Sequence, residues 1–282
     1  MHESSSGPVG AYVEIQADVI LKRRDDVAAN GPDAVHATRV ACRRLRSTLH
    51  TFRALWTVRH RAVSADLRWY GRFLGSPRDT EVLEEGLLDL MADLHEPGAA
   101  DLVARLRRRL DGDRAAGLSA LATAMRTDRF EQLTTRVHRL VADARWDPIA
   151  AVPAHRLLPA LAYGPVYEAA LLAGRLPETG PHRLEVLHEL RKQGKAARYG
   201  YEAIGAPGAR EAARWKDVTE ELGHVQDGVV SSALLDELQQ EARVAGEALP
   251  AYAALRAAVA RQMRSGERRG LDALAGAVAE AP

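Results

Sequence analysis

The sequence predicts an all-α protein, on three observations. Strand signals are almost absent, because alternating polar and apolar runs rich in Val, Ile and Thr do not reach useful length. Apolar residues recur instead three and four positions apart. The composition agrees: 46% of residues are hydrophobic and only 5% aromatic, with the strong helix formers Ala, Leu and Arg abundant.

In chain order the spacing places helices near 10–29, 34–57, 60–75, 77–95, 98–126, 128–144, 154–174, 181–205, 208–222, 225–247, 250–265 and 267–280. Gly31-Pro32, Pro97-Gly98, Gly180-Pro181 and Pro207-Gly208 punctuate them. Trp146-Asp147-Pro148 through Pro153 is the longest central break. Ser76-Pro77-Arg78-Asp79 reads as a helix start, with Ser at N-cap, Pro at N1 and Asp at N3. Free N–H groups at such a start could receive a phosphate, with Arg78 beside them. Asp79 and its later counterpart Asp227 are then structural, or orient neighbouring arginines.

At 282 residues the chain can form one large domain or two ordinary ones. Its single cysteine, Cys42, excludes an intramolecular disulfide and a cysteine-based zinc cluster. The N-terminal MHESSSGPVG has no apolar core of a signal peptide, and no run is long enough to span a bilayer. A soluble, cytoplasmic protein without membrane contact is expected. Net charge is only +1, but it is segregated. Between Ala34 and Ala65 lie seven arginines (39, 43, 44, 46, 53, 59 and 61) and no Asp or Glu, whereas acids crowd Asp79 to Asp93. A near-neutral chain that sorts its charge this way remains a candidate polyanion binder.

An internal repeat crosses the central break. His36-x-x-Arg39-x-x-x-Arg43-x-x-Arg46 recurs as His188-x-x-Arg191-x-x-x-Lys195-x-x-Arg198. Downstream, Arg68 followed by Leu74-Gly75-x-x-Arg78-Asp79 recurs as Lys216 followed by Leu222-Gly223-x-x-Gln226-Asp227. Two motifs in the same order suggest two related helical bundles, one per half, over about 10–146 and 152–282.

On a helix, His36, Arg39, Arg43, Arg46, His50 and Arg53 fall within about 100° of arc. Ala41, Leu45, Leu49, Phe52 and Trp56 lie almost opposite, so a core face and a cationic face separate. Solvated helix faces usually mix signs, since like charges three or four apart repel. Here no acid relieves the repulsion, which points to an anion. The second stripe is weaker: Lys192 and Tyr199 sit on its shoulder, and Glu202 interrupts it or orients Arg198 at i,i+4. Arginine forks suit phosphate, lysines add point charges, and two long stripes suit an extended, repeating anion. His36 and His188 are capping or packing residues or anion contacts. No metal is expected, because neither has a ligand partner three or four residues on. Arg105, Arg107, Arg108 and Arg109 should face solvent, Trp56, Trp69, Trp146 and Trp215 should anchor the core, and Cys42 should be buried.

The segments VHATRVACRRLRSTLHTF, LGSPRDTEVL, LHELRKQGKAARYGYE and LGHVQD resemble the CHAD family of helical domains, in the family's order and over nearly the whole chain. The resemblance implies one CHAD-like domain over 1–282. It would hold two pseudo-two-fold-related bundles of about four main helices each, with a basic cleft or pore between them. It also implies binding of inorganic polyphosphate, for some members at polyphosphate granules. By position, the implied contacts are His36, Arg39, Arg43, Arg44 and Arg46, and His188, Arg191, Lys192, Lys195 and Arg198. The stripe and repeat add Arg53, Arg78 and Lys216. Many relatives carry a CYTH triphosphatase domain first. This sequence shows no E-x-E-x-K strand motif, so a stand-alone, non-catalytic domain without cofactor is expected. The alternatives are another polyanion, whether nucleic acid or an acidic protein. Nucleic acid is disfavoured by the lack of a recognition-helix motif and of an aromatic stacking platform. A phosphohydrolase is disfavoured because no carboxylate cluster or P-loop accompanies the histidines.

Overall fold

Ten α-helices account for nearly all regular structure in the computed structural model, which describes residues 3–31, 33–58, 60–92 and 94–280. Pro32, Arg59 and Asp93, which enter the expectations above, lie outside the described residues. In order the helices are α1 (Ser6–Lys22), α2 (Arg24–Ala28), α3 (Ala34–Thr51), α4 (Arg61–Met91) and α5 (Ala99–Ala124). They continue with α6 (Asp128–Ala142), α7 (Ala154–Ala173), α8 (Pro181–Ile204), α9 (Ala209–Val244) and α10 (Pro250–Ala279). No strand occurs among the described residues; two isolated bridges join Ser4 to Pro153 and Trp56 to Trp146.

Helix α3 shows why these residues fold as they do. Val35, Thr38, Ala41, Cys42, Leu45, Thr48 and Leu49 are buried at helical spacing, which leaves the arginine face outside the core. Burial pushes the Cys42 thiol up to about 12, so it behaves as a small apolar filler. The chain leaves the α3 axis at Phe52 and makes a short 3-10 turn, Arg53–Leu55. The expected helix over 34–57 is therefore shorter, and Arg53 stands off the end of the stripe rather than on it. Trp56 beyond the turn stacks on Trp146, ring centroids 4.1 Å apart, and so docks the central break against the first helices.

Helices α3 and α4 pack together, as do α8 and α9, and α3 also touches α8 directly. The apolar residues form two cores. The larger is built on α1, α3, α6, α7, α8 and the first parts of α4 and α9. The smaller joins Leu87, Met91, Leu102, Leu106 and Leu110 to Leu235, Leu238, Tyr252 and Leu255. Each core takes residues from both sides of the break at 146–152.

Three predicted pairs of helices are single helices. The helices expected near 60–75 and 77–95 merge into α4, those near 208–222 and 225–247 into α9, and those near 250–265 and 267–280 into α10. The helix start at Ser76-Pro77 is a correction: Pro77 lies inside α4. Proline there removes one ladder bond, to the Phe73 carbonyl, but Pro77 is buried where Gly117 of α5 lets that helix approach closely. A Cβ on Gly117 would stand 2.8 Å from Ser76 Oγ and 3.2 Å from Pro77 Cδ. Packing therefore overrides the local stop signal, and the free N–H groups imagined beside Arg78 are helix interior.

Candidate functional site

The contact of α3 with α8 brings the two basic stripes together at one level. Arg39 and Arg43 of α3 stand close enough to Arg191 and Lys195 of α8 for their charges to act on both. The repeat positions are seated alike. Arg39 lies over Gly75 of α4, and Arg191 lies over Gly223 of α9; a Cβ on these glycines would meet guanidinium nitrogens at 3.5 and 3.2 Å. Small residues at both places let a guanidinium lie flat on the neighbouring helix. Arg39 forks onto Asp79, Nη1–Oδ1 2.6 Å and Nη2–Oδ2 2.9 Å. Arg191 donates from Nε to the Thr219 carbonyl at 3.3 Å and feels Asp227. Asp79 thus orients an arginine, one of the two roles foreseen for it, while Asp227 acts on Arg191 through its charge.

Electrostatics mark this cluster as strained in charge. Burial, then Arg191, Arg43 and Arg39, bring the Lys195 ammonium down to about 7. Burial also lowers Arg191, and Asp227 opposes that shift. Asp227 itself is pushed up by burial, against the pull of Arg191, His224 and Lys195. His36 is lowered, first by burial and then by Arg78, with Arg43 and Arg39 adding to it. Its Nδ1 is buried with no hydrogen-bond partner among the described residues. His188 differs, its Nδ1 lying 2.7 Å from Gln226 Oε1. Arg78 and Gln226 hold equivalent repeat positions, so each histidine addresses the same place on the adjoining helix.

A basic groove continues from this cluster between α3 and α4. A 330 Å³ cavity is lined by Arg39, Arg43, Arg46, Arg68 and Arg72 with Gly71 and Gly75. Arg68 and Arg72 also line a second cavity, of 910 Å³, which reaches His50, Arg53 and Arg61. Among the described residues, Arg43, Arg46, Arg68 and Arg72 have no carboxylate partner, and Arg43 Nε is buried without a hydrogen bond. Burial, then Arg68 and Arg43, lower Arg46. Arg53 donates to the His50 carbonyl, at 3.4 Å, and has no carboxylate partner among the described residues. Arg68 and Arg72 were not among the expected site residues. Their signal was present: Arg61, Arg68 and Arg72 are spaced by seven and four, a stripe on α4 facing that of α3.

Other expected residues go elsewhere. Arg44 and Arg198 close on Glu202, Arg44 Nε at 2.8 Å from Oε2 and Arg198 Nε at 2.8 Å from Oε1. Tyr12 of α1 donates to the same carboxylate at 2.7 Å. Burial alone would raise Glu202, but the hydrogen bond from Tyr12 and the ion pair with Arg44, with Arg198 adding to them, outweigh it and lower its pKa. Both guanidiniums also stack over the Tyr199 ring, at 5.8 and 5.9 Å. Lys192 is exposed and held by Glu189 at 2.7 and 2.9 Å, and exposed Lys216 by Glu220 at 3.6 Å. Arg78 bonds Glu81 at 2.9 Å while facing His36. The run at 105–109 is partly a clamp rather than a solvated face, since Arg105 reaches Glu241 and Glu247, and Arg109 reaches Glu237.

The CHAD domain model matches residues 11–236, a span that includes both basic helices. The chain is a member of the CHAD family. Two uncharacterised proteins from strains of Mycobacterium tuberculosis are each 33% identical over 248 residues, which cover 85% of this chain and 47% of the relative. The CHAD chain thus spans about half the length of these curated relatives. PptA from Streptomyces chartreusis superposes with a TM-score of 0.79 at 24% identity, covering 98% of this chain and 99% of its own. The CHAD domain of the plant Ricinus communis gives 0.72 at 23%, with 100% and 93% covered. At these identities the likeness establishes the helical fold.

Proposed function

We propose that this CHAD domain binds inorganic polyphosphate, without chemistry, along the α3–α4 groove and past Arg191 and Lys195 of α8. The carrying observation is the row of arginines without carboxylate partners, Arg43, Arg46, Arg68 and Arg72, continuous with the cluster at the α3–α8 contact. Guanidiniums packed among one another cost free energy that a polyanion returns, and each fork matches two phosphate oxygens. A groove lined repeatedly by arginine suits a linear chain of phosphates better than one compact nucleotide. The family likeness supports the same ligand and, with it, residence at polyphosphate granules. Among the described residues, no helix is long and apolar enough to cross a membrane.

The second reading is another polyanion, either nucleic acid or an acidic protein. Bases need aromatic faces to stack on. Trp56 borders the larger cavity but is only 6% exposed, Trp69 is buried, and the exposed Tyr163 and Tyr167 of α7 do not line either cavity. Calorimetric titration with long-chain polyphosphate at two salt concentrations separates the readings. We expect tight, salt-sensitive binding that falls at least about a hundredfold in Arg39→Ala/Arg43→Ala/Arg191→Ala, since each lost charged hydrogen bond is worth about 1.5–3 kcal/mol. Absence of binding by the folded wild type, or phosphate release on adding Mg2+ or Mn2+, overturns the proposal.

A further inference from the structure

This chain uses arginine for nearly every cation: only four of its 39 Lys and Arg residues are lysines, at 22, 192, 195 and 216. Three of the four are exposed and paired with a carboxylate on their own helix, Lys22 with Asp18, Lys192 with Glu189 and Lys216 with Glu220. Lys195 is the exception. It is half-buried in α8, at the repeat position that Arg43 holds in α3, and has no ion pair or hydrogen bond among the described residues. Facing it are Arg191 on its own helix, Arg39 and Arg43 from α3, and Asp227 from α9. Burial, then Arg191, Arg43 and Arg39 (itself paired with Asp79), outweigh Asp227 and favour the uncharged amine. Its fall to about 7 agrees with that setting. A neutral amine is a nucleophile, and the cations that neutralise it are the groups that bind phosphate.

We propose that Lys195 is a modification site at which small acyl phosphates transfer their acyl group to the side-chain amine. The inference rests on reading Arg39, Arg43 and Arg191 as an anion site. These guanidiniums hold the phosphate of the acyl phosphate and set its carbonyl carbon beside Nζ. Nitrogen attacks that carbon, an N–C bond forms, and the C–O bond to phosphate breaks. The phosphate leaves with the proton that the amine loses. The product is a neutral amide and free phosphate, and no further reactant is consumed. The amide removes one cation from the cluster, so acylation weakens polyanion binding.

The test uses the whole wild-type chain with acetyl phosphate near neutral pH and follows each lysine by tandem mass spectrometry. Lys195 should be acetylated at least about tenfold faster than Lys22, Lys192 and Lys216, because a far larger fraction of it is unprotonated. Saturating long-chain polyphosphate should suppress labelling at Lys195 and leave the other three unchanged. With p-nitrophenyl acetate, which carries no phosphate, the preference for Lys195 should shrink. Equal labelling of the four lysines, or an equal preference with both reagents, overturns the inference. Polyphosphate that binds by calorimetry while Lys195 stays unlabelled overturns it and leaves the polyphosphate reading standing. Selective labelling without protection by polyphosphate supports the inference and removes polyphosphate as the ligand.

Discussion

Two arginine pairs that look alike in the sequence meet different fates, and single neighbours decide it. Arg44 and Arg198 meet a carboxylate that Tyr12, 190 positions away, helps to hold, and nothing local in the sequence reveals such closure. Arg39 finds Asp79 on the next helix, and Arg43 meets more cations. The stripe was legible because helical spacing fixes which side chains share a face; what lies opposite that face is set by packing. Replacing Glu202 by Gln should destabilise the fold by about 1–3 kcal/mol, since two half-buried guanidiniums lose their anion; urea unfolding measures it. Gly223→Ala should displace Arg191 by a few tenths of an ångström and weaken polyphosphate binding, whereas Gly75→Ala meets only ordinary contacts and should be milder. Proton linkage supplies another expectation. Lys195 is lowered to about 7 in the folded chain, below its unfolded value, so the penalty of burying its charge is complete below pH 7. That penalty is relieved as pH rises from there towards 10.5, and stability gains over this window. A bound polyanion favours the protonated amine. Affinity should therefore fall as pH rises through 7, with proton uptake on binding at pH 8, detectable by calorimetry in buffers of different ionisation enthalpy.

At the level of helices, amphipathic spacing located the main elements but misjudged where some stop. Ser76-Pro77 carries every local mark of a start, yet α4 runs through it because Gly117 opens room on α5. Gly117→Ala should thus lower the melting temperature, with an overpacking cost of about 1–3 kcal/mol. α4 is also tied to α6 by a buried carboxylate: Asp66 is 4% exposed and accepts from Arg129 Nε at 3.0 Å and from Arg136. The two arginines are partly exposed, so the pair is asymmetric. Asp66→Ala frees guanidiniums that water can solvate and should cost about 1–2 kcal/mol. Arg129→Ala/Arg136→Ala strands the carboxylate inside and should cost about 3–5 kcal/mol. Equal costs in urea titrations would contradict that account.

For the molecule as a whole, a net charge of +1 conceals a division of labour. Many cations are spent on ion pairs such as the Arg105–Glu247 clamp between α5 and the α9–α10 connection, while Arg43, Arg46, Arg68 and Arg72 of the groove have no carboxylate partner among the described residues. Both cores are shared between the halves: Leu102 and Leu106 of the first half pack with Leu235 and Leu238 of the second. Helical proteins ordinarily fold fast through near-neighbour contacts. Here much of the apolar contact waits for residues far along the chain. A nascent chain that has passed only residue 146 would display the unpaired apolar flanks of α4 and α5, open to aggregation or chaperone capture. Fragments 1–146 and 147–282, expressed apart, should each stay unfolded and recover helical circular dichroism and a cooperative melt only when mixed.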